Sequence, residues 1–242
     1  MIPLPGVQAV ADHGALHALL GQRRLEEHLQ AALGEFTLGG DPSAGRLWFA
    51  STTDPERRVD TRPHLVASLA PGPRSLLWGW AHPQGTGTAA QRLRQLGEQH
   101  GIGELTVPEV PFDTTATGPE LGTEVMDAAH VVAAAAVEAT GLTPYYVAPI
   151  GGGSVMVYLL EGVPLRPFDL GLDGAGIGSA LMEASSTDLR ASLLGLARHT
   201  GLGVRQDATT VEIADARGSR VTGTCDEQGR LTGLSMHLVP PA

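Results

Sequence analysis

Leu16, Leu19, Leu20, Leu25, Leu29 and Leu33 recur at helical spacing, which predicts a helix over residues 12–35 with Asp12 as its cap and Gly21 as a weak point that breaks it. The period then shortens to that of strands. Arg46–Ser51, Thr61–Ala70 and Arg74–Ala81 read as three strands parted by Asp54-Pro55 and Pro71-Gly72-Pro73, an antiparallel meander. Thr88-Ala-Ala-Gln91 has the form of a capping box, Leu93 and Leu96 supply an apolar stripe, and Gly101 sits where a helix ends. A strand is expected at 104–110. Thr117-Gly-Pro-Glu120 then opens an alanine-rich helix that runs to about Thr140 and closes on Gly141. Strands at 143–148 and 154–160 flank Gly151-Gly152-Gly153, which reads as a hairpin turn.

Residues 165–173 carry proline, glycine and aspartate without a clear period and mark a boundary. Beyond it the pattern predicts a helix over 185–200 stopped by Gly201, then short strands at 202–206, 208–214, 218–225 and 229–239. Val211 and Ile213 alternate with Glu212, and Leu234, Met236 and Leu238 alternate with Ser235 and His237, as in a sheet wet on one face. The fold class is therefore α+β, with helices packed on antiparallel meander sheets. A larger unit spans 1–165 and a smaller helix-plus-meander unit spans 166–242.

Composition narrows the chemistry. The chain has 242 residues, 42% of them hydrophobic and 17% charged, enough to bury a core without staples. All 16 basic residues are arginine, and neither lysine nor asparagine occurs. That excludes Schiff-base chemistry, the GK[ST] phosphate loop, kinase-type sites and Ser-Lys dyads, and the composition is that of a high-GC bacterium. The net charge of −10 is concentrated in residues 95–165, which hold nine carboxylates and no arginine. Such a surface disfavours nucleic acid and anionic lipid and favours a protein partner with a basic surface or a divalent cation; a solvated face that aids solubility is the plainer reading. The N-terminal residues lack the basic and apolar regions of a signal peptide, and the most apolar helix is too short to span a bilayer, so a cytoplasmic chain is expected. Cys225 stands alone, without a disulfide partner or CxxC pattern, ahead of a turn at Asp226-Glu227-Gln228-Gly229.

Few residues carry chemistry. Gly85-Thr-Gly87-Thr-Ala-Ala90 fits the dinucleotide fingerprint, with Glu109 at about the sequence spacing of a ribose-binding carboxylate, but no βαβ unit surrounds it, and a capped helix explains it. Asp169-x-Gly-x-Asp173-Gly174 starts like an EF-hand loop but has Ala180 where the bidentate glutamate belongs. Asp127 and His130 share a helix face with Glu124 and form a carboxylate–histidine pair with no matching groups on other helices, so neither a metal site nor a cofactor is expected. His64 and His82 are solitary. Leu76, Trp78 and Trp80 alternate onto one strand face, as core or as an exposed binding patch.

Trp48-Phe49, Trp78-Gly-Trp80-Ala-His82-Pro83, Ala129-His130 and Tyr145-Tyr146 together resemble an uncharacterised, mainly actinobacterial family of cytosolic proteins marked by a W-x-W-x-N-P stretch. The resemblance covers residues 15–160. His82 replaces the family's asparagine, and the resemblance implies no activity. Two readings of function follow. One is a non-enzymatic interaction protein, chaperone-like or immunity-like, using the acidic segment with Glu104 and Glu109 or the Trp78–Trp80 face. The other is a small-molecule-binding protein or hydrolase with a pocket between helix and sheet, built from His82, Asp127 and His130. An oligomeric scaffold is a third.

Overall fold

The computed structural model describes residues 2–41, 44–83, 85, 88–226 and 230–240. The elements run α1 (Pro5–Leu33), β1 (Phe36–Asp41), β2 (Arg46–Ser51), β3 (Arg58–Ala70), β4 (Ser75–Trp78), α2 (Thr88–His100), β5 (Glu109–Pro111), α3 (Gly118–Thr140), β6 (Tyr145–Gly151) and β7 (Ser154–Glu161). They continue through α4 (Leu170–Asp173), α5 (Ile177–Glu183), α6 (Leu189–Thr200), β8 (Gly203–Gln206), β9 (Thr210–Ala214), β10 (Arg220–Cys225) and β11 (Leu231–His237). The fold is α+β with two antiparallel sheets, one of seven strands and one of four ordered β11-β10-β9-β8. β3 is the hub of the larger sheet: its first residues pair β2, its last pair β4, and Arg62–Leu69 pair β7. β1 pairs β2, β5 pairs β4 and β6 pairs β7.

α1 is the axis of the molecule and feeds three clusters in turn. Val7, Val10, Ala11, Ala15 and Ala18 pack with α3 and with Val66, Leu69, Leu76 and Trp78 of the larger sheet. Leu16 and Leu20 join Leu193, Leu196, Val211, Ile213 and Val221 beneath the smaller sheet. Leu25, Leu29 and Leu33 meet Leu47, Phe49, Leu65 and Leu160. Each such leucine contributes roughly 1.5–3 kcal/mol by leaving water, so the helix is held along its length.

The helix is also longer than its leucine stripe predicts, beginning at Pro5 and running unbroken through Gly21. A Cβ at Gly21 would lie 2.7 Å from the Thr143 side chain, so this glycine admits a neighbouring segment. Asp12 is not a cap: it is 6% exposed inside α1 and accepts from the backbone and hydroxyl of Thr187 at 2.8 and 2.7 Å. The N-terminal turn is served from far away, where the Glu104 carboxylate accepts the Val7 N–H at 2.8 Å.

Other boundaries move for physical reasons. β1 was hidden by Gly39-Gly40, over which Trp48 packs so closely that a Cβ at Gly39 would stand 2.6 Å from its indole nitrogen. The strand expected at 104–110 is a 3₁₀ turn (Gly103–Leu105) followed by β5 after Pro108. Thr117 caps α3 without a side-chain hydrogen bond, while Gly141 ends it in the left-handed conformation at φ 71°. The boundary expected at 165–173 holds α4, with α5 just after it; Asp169 caps α4 by accepting from Gly171 and Leu172. Its glycines lower helix propensity, and contact with the chain's end overrides that, since a Cβ at Gly171 would fall 2.2 Å from the Val239 carbonyl. α6 starts at Leu189 under an Asp188 cap rather than at Ser185. In the smaller sheet Val211, Ile213 and Val221 are fully buried, and Met236, placed on the apolar side by its alternation, is 40% exposed on the edge strand β11. Cys225 ends β10 and is buried. Thr86 and Gly87 of the glycine fingerprint, and Glu227–Gly229 of the last turn, lie outside the described residues.

Candidate ligand site

Sequence reasoning paired Asp127 with His130, and the two do meet, at a hollow of about 330 Å³ where α3 crosses α1. Ala15, Ala18 and Leu19 of α1 and Ala134 of α3 form the apolar wall. Their short side chains leave the space: four positions of a helix interface carry one large residue among three alanines. Asp127, His130 and Tyr145 supply polar groups, and Glu183, Ala184 and Ser185 close the outer side.

The polar groups are held in place. His130 Nδ1 is 2.9 Å from the Tyr145 hydroxyl, the rings meeting edge to face at 5.8 Å and 70°. Tyr145 opens β6, and its backbone N–H donates to Gln22 Oε1 of α1 at 2.9 Å. Burial pushes its phenol up to about 12, so it remains a hydroxyl. Burial also lowers the pKa of His130, opposed in part by the Asp127 carboxylate. The imidazole is therefore neutral near pH 7, and among the described residues its Nε2 makes no hydrogen bond. Asp127 likewise has no ion pair or hydrogen-bond partner among the described residues.

The outer side is a strap between α5 and α6, fastened to α1 at three points. Gln8 Nε2 donates to the Ser185 carbonyl at 2.9 Å, Asp12 holds Thr187, and Arg23 meets Glu183 at 2.9 Å. Tyr145, Asp12 and Glu183 were missed from the sequence because nothing local links them to His130; only the register of β6 and the crossing of three helices does.

The remaining predicted residues lie elsewhere. Trp78 is fully buried and donates from Nε1 to the Glu104 carbonyl at 2.8 Å. β4 ends there, so strand alternation does not carry to Trp80, which packs partly buried against the same core with the Arg94 guanidinium 4.8 Å over its ring. Gly79 between them is required by contact, since a Cβ there would fall 2.4 Å from the Leu65 carbonyl. His82 follows in a turn, its pKa lowered by burial, and does not line the hollow. Glu104 has its structural post on α1, and Glu109 is exposed on β5. Glu124 accepts from the Thr114 hydroxyl at 2.6 Å. Asp173 takes two hydrogen bonds from Arg166 at 2.8 and 2.6 Å, and Asp169 pairs with Arg217, so arginines occupy the two EF-hand-like carboxylates. Among the described residues no group of three or more His, Cys, Asp or Glu is placed to hold a metal ion, and no helix is long and apolar enough to cross a membrane.

A second histidine assembly lies on the other side of α1. His17 stacks on His199 at 5.0 Å and 15°, and His199 Nε2 is 2.9 Å from Glu138, which also binds Arg198. Burial chiefly, then His199 and Arg24, pushes the His17 pKa down to about 3, while burial and Arg198 lower that of His199. His17 Nδ1 is buried without a partner among the described residues. The sequence signal was present in His13 and His17, one turn apart on α1, but their partners come from α3 and α6.

These features define a class: an α+β protein with a histidine–tyrosine hollow between its two longest helices, roofed by a segment from its C-terminal third. The chain belongs to the family of unknown function DUF6882, matched over residues 8–163. The match takes in Asp127, His130 and Tyr145 and stops short of Glu183–Ser185, which form the roof. No curated protein and no solved structure matches the chain.

Proposed function

We propose that this is a small-molecule-binding protein whose ligand occupies the hollow at His130. The observation that carries the reading is the convergence of three polar groups on an alanine-walled space: a neutral imidazole with one nitrogen unbonded among the described residues, the phenol of a tyrosine whose backbone N–H is held by Gln22, and a carboxylate with no ion pair or hydrogen bond among the described residues. A concave, mostly apolar site with a few placed polar groups is the usual form of a ligand pocket, and about 330 Å³ is at the small end of that range. Residues 166–242 act in this reading as the unit that closes the site. Native mass spectrometry on protein isolated gently from its own host tests it. The expected result is an added mass of small-molecule size that disappears in Ala184→Leu, which puts a larger side chain in the lining and leaves the residue at 130 unchanged; a bare chain under conditions that preserve weak complexes counts against it.

A protein-interaction surface is the second reading. It draws on Glu109, Asp113 and Glu120, which are exposed and form no ion pair among the described residues. The same spectrum tests it: a co-purifying chain released by Glu109→Arg with Asp113→Arg supports it, and an unchanged complex removes the acidic face from consideration.

A further inference from the structure

The charge around the hollow identifies the chemistry of its ligand. Of the two carboxylates in its lining, Glu183 is neutralised: Arg23 pairs with it through Nη2, and Nη1 of that guanidinium donates to the Gly176 carbonyl at 2.9 Å and the Ser179 hydroxyl at 3.0 Å. Among the described residues Asp127 has no such partner, and no arginine lines the space. An anion entering the hollow would therefore face an uncompensated carboxylate, whereas a cation would complete a pair. His130 adds the second contact. A neutral imidazole carries one N–H; with Nδ1–H donating to the Tyr145 hydroxyl, Nε2 presents a lone pair and can accept a hydrogen bond. Ala15, Ala18, Leu19 and Ala134 leave an apolar wall for a short hydrocarbon body. At the ~30 Å³ that a water takes in the liquid, the hollow has room for roughly ten non-hydrogen atoms.

We infer that the hollow binds a small organic ammonium ion, whose N–H groups meet the Asp127 carboxylate and the Nε2 of His130 while its hydrocarbon part lies on the alanine wall. This rests on the hollow being a ligand site at all. Binding selects the Nδ1–H tautomer of His130, which leaves the Tyr145 oxygen as acceptor, and the segment that roofs the ligand, Glu183–Ser185, lies outside the family match and belongs to this chain's own C-terminal third.

The experiment is an NMR titration of the full chain at about pH 7.5 with three probes of similar size, n-butylammonium chloride, n-butanol and sodium butyrate, following the imidazole ¹⁵N and ¹³Cε1 signals of His130 and the ring signals of Tyr145. The expected result is a saturable shift with butylammonium that moves His130 toward the Nδ1–H form. Asp127→Asn, whose amide dispersion verifies folding, weakens that binding about tenfold, the worth of a charge-assisted hydrogen bond. Equal or tighter binding of butanol or butyrate at the same signals overturns the ammonium assignment and leaves the hollow as a site for a different class. Silence of His130 and Tyr145 toward all three overturns the ammonium assignment together with the pocket reading.

Discussion

Two histidine sites flank α1, and they are built in opposite ways. At His17 and His199 the helices touch backbone to backbone: a Cβ at Gly14 would come 2.9 Å from the backbone nitrogen of Glu138, and one at Gly195 would come 1.8 Å from the His13 carbonyl. The imidazoles there are stacked, that of His199 is tied to Glu138, and both are part of the packing. At His130 the α1–α3 contact is spaced by alanines, and the imidazole lines a hollow with its Nε2 unbonded among the described residues. Burial lowers the pKa of both kinds of histidine, so a shifted pKa alone does not distinguish them. What separates a structural histidine from a candidate site is the space beside it, because His17 also has a ring nitrogen without a partner among the described residues yet borders no such hollow.

The largest effect that sharpens this contrast is at the close contacts. Gly14→Ala and Gly195→Ala should each cost about 3 kcal/mol, because the backbone clash outweighs the ~1 kcal/mol that alanine gains over glycine in a helix. Thermal melts should show a fall of roughly 10 °C. The next effect is a pH dependence. The folded pKa of His17 lies near 3, below the ordinary 6.5, so the unfolded chain binds the proton first as pH drops. The stability it contributes is complete above about pH 6.5 and is lost progressively down to about pH 3. His17 alone should account for about 2 kcal/mol between about pH 7.5 and pH 5, added to by His13, His130 and His199, whose values also lie low. Urea midpoints across that interval measure it, and His17→Gln should flatten the slope.

Smaller effects concern the roof and the site. Asp12→Ala leaves the Thr187 backbone and hydroxyl donors without their acceptor and should cost about 1–2 kcal/mol, with hydrogen exchange accelerated at 184–188 ahead of the rest of the chain. Uniform loss of protection instead would show that the strap is not a separate unit of motion. Tyr145→Phe removes one hydrogen bond to His130, for about 1 kcal/mol, and should change the His130 ring signals while sparing those of His17.

Much of this architecture is visible in local sequence patterns, and the parts that are not share a cause. The α3 start at Thr117-Gly-Pro, its stop at Gly141, the glycine hairpin between β6 and β7 and the last meander were all readable because a few adjacent residues dictate them. Glu104 capping α1 was hidden because donor and acceptor are 97 residues apart. Gly21 reads as a weak point, and residues 165–173 as a boundary, because a close neighbour and a flexible hinge both ask for glycine. Of the site, Asp127 and His130 followed from helix spacing alone, whereas Tyr145, Asp12 and Glu183 required the crossing of α1, α3 and the strap. Asp12 was even assigned to a helix cap, the commoner role for a lone aspartate ahead of an apolar stripe.

Histidine-resolved NMR across pH on the intact chain, with and without n-butylammonium, tests the contrast most directly. The account predicts that His17 stays neutral as far down in pH as the fold persists and ignores the amine, while His130 titrates below its ordinary value and shifts on amine addition. A His17 that titrates near 6.5, or a His130 as indifferent to the amine as His17, would contradict it.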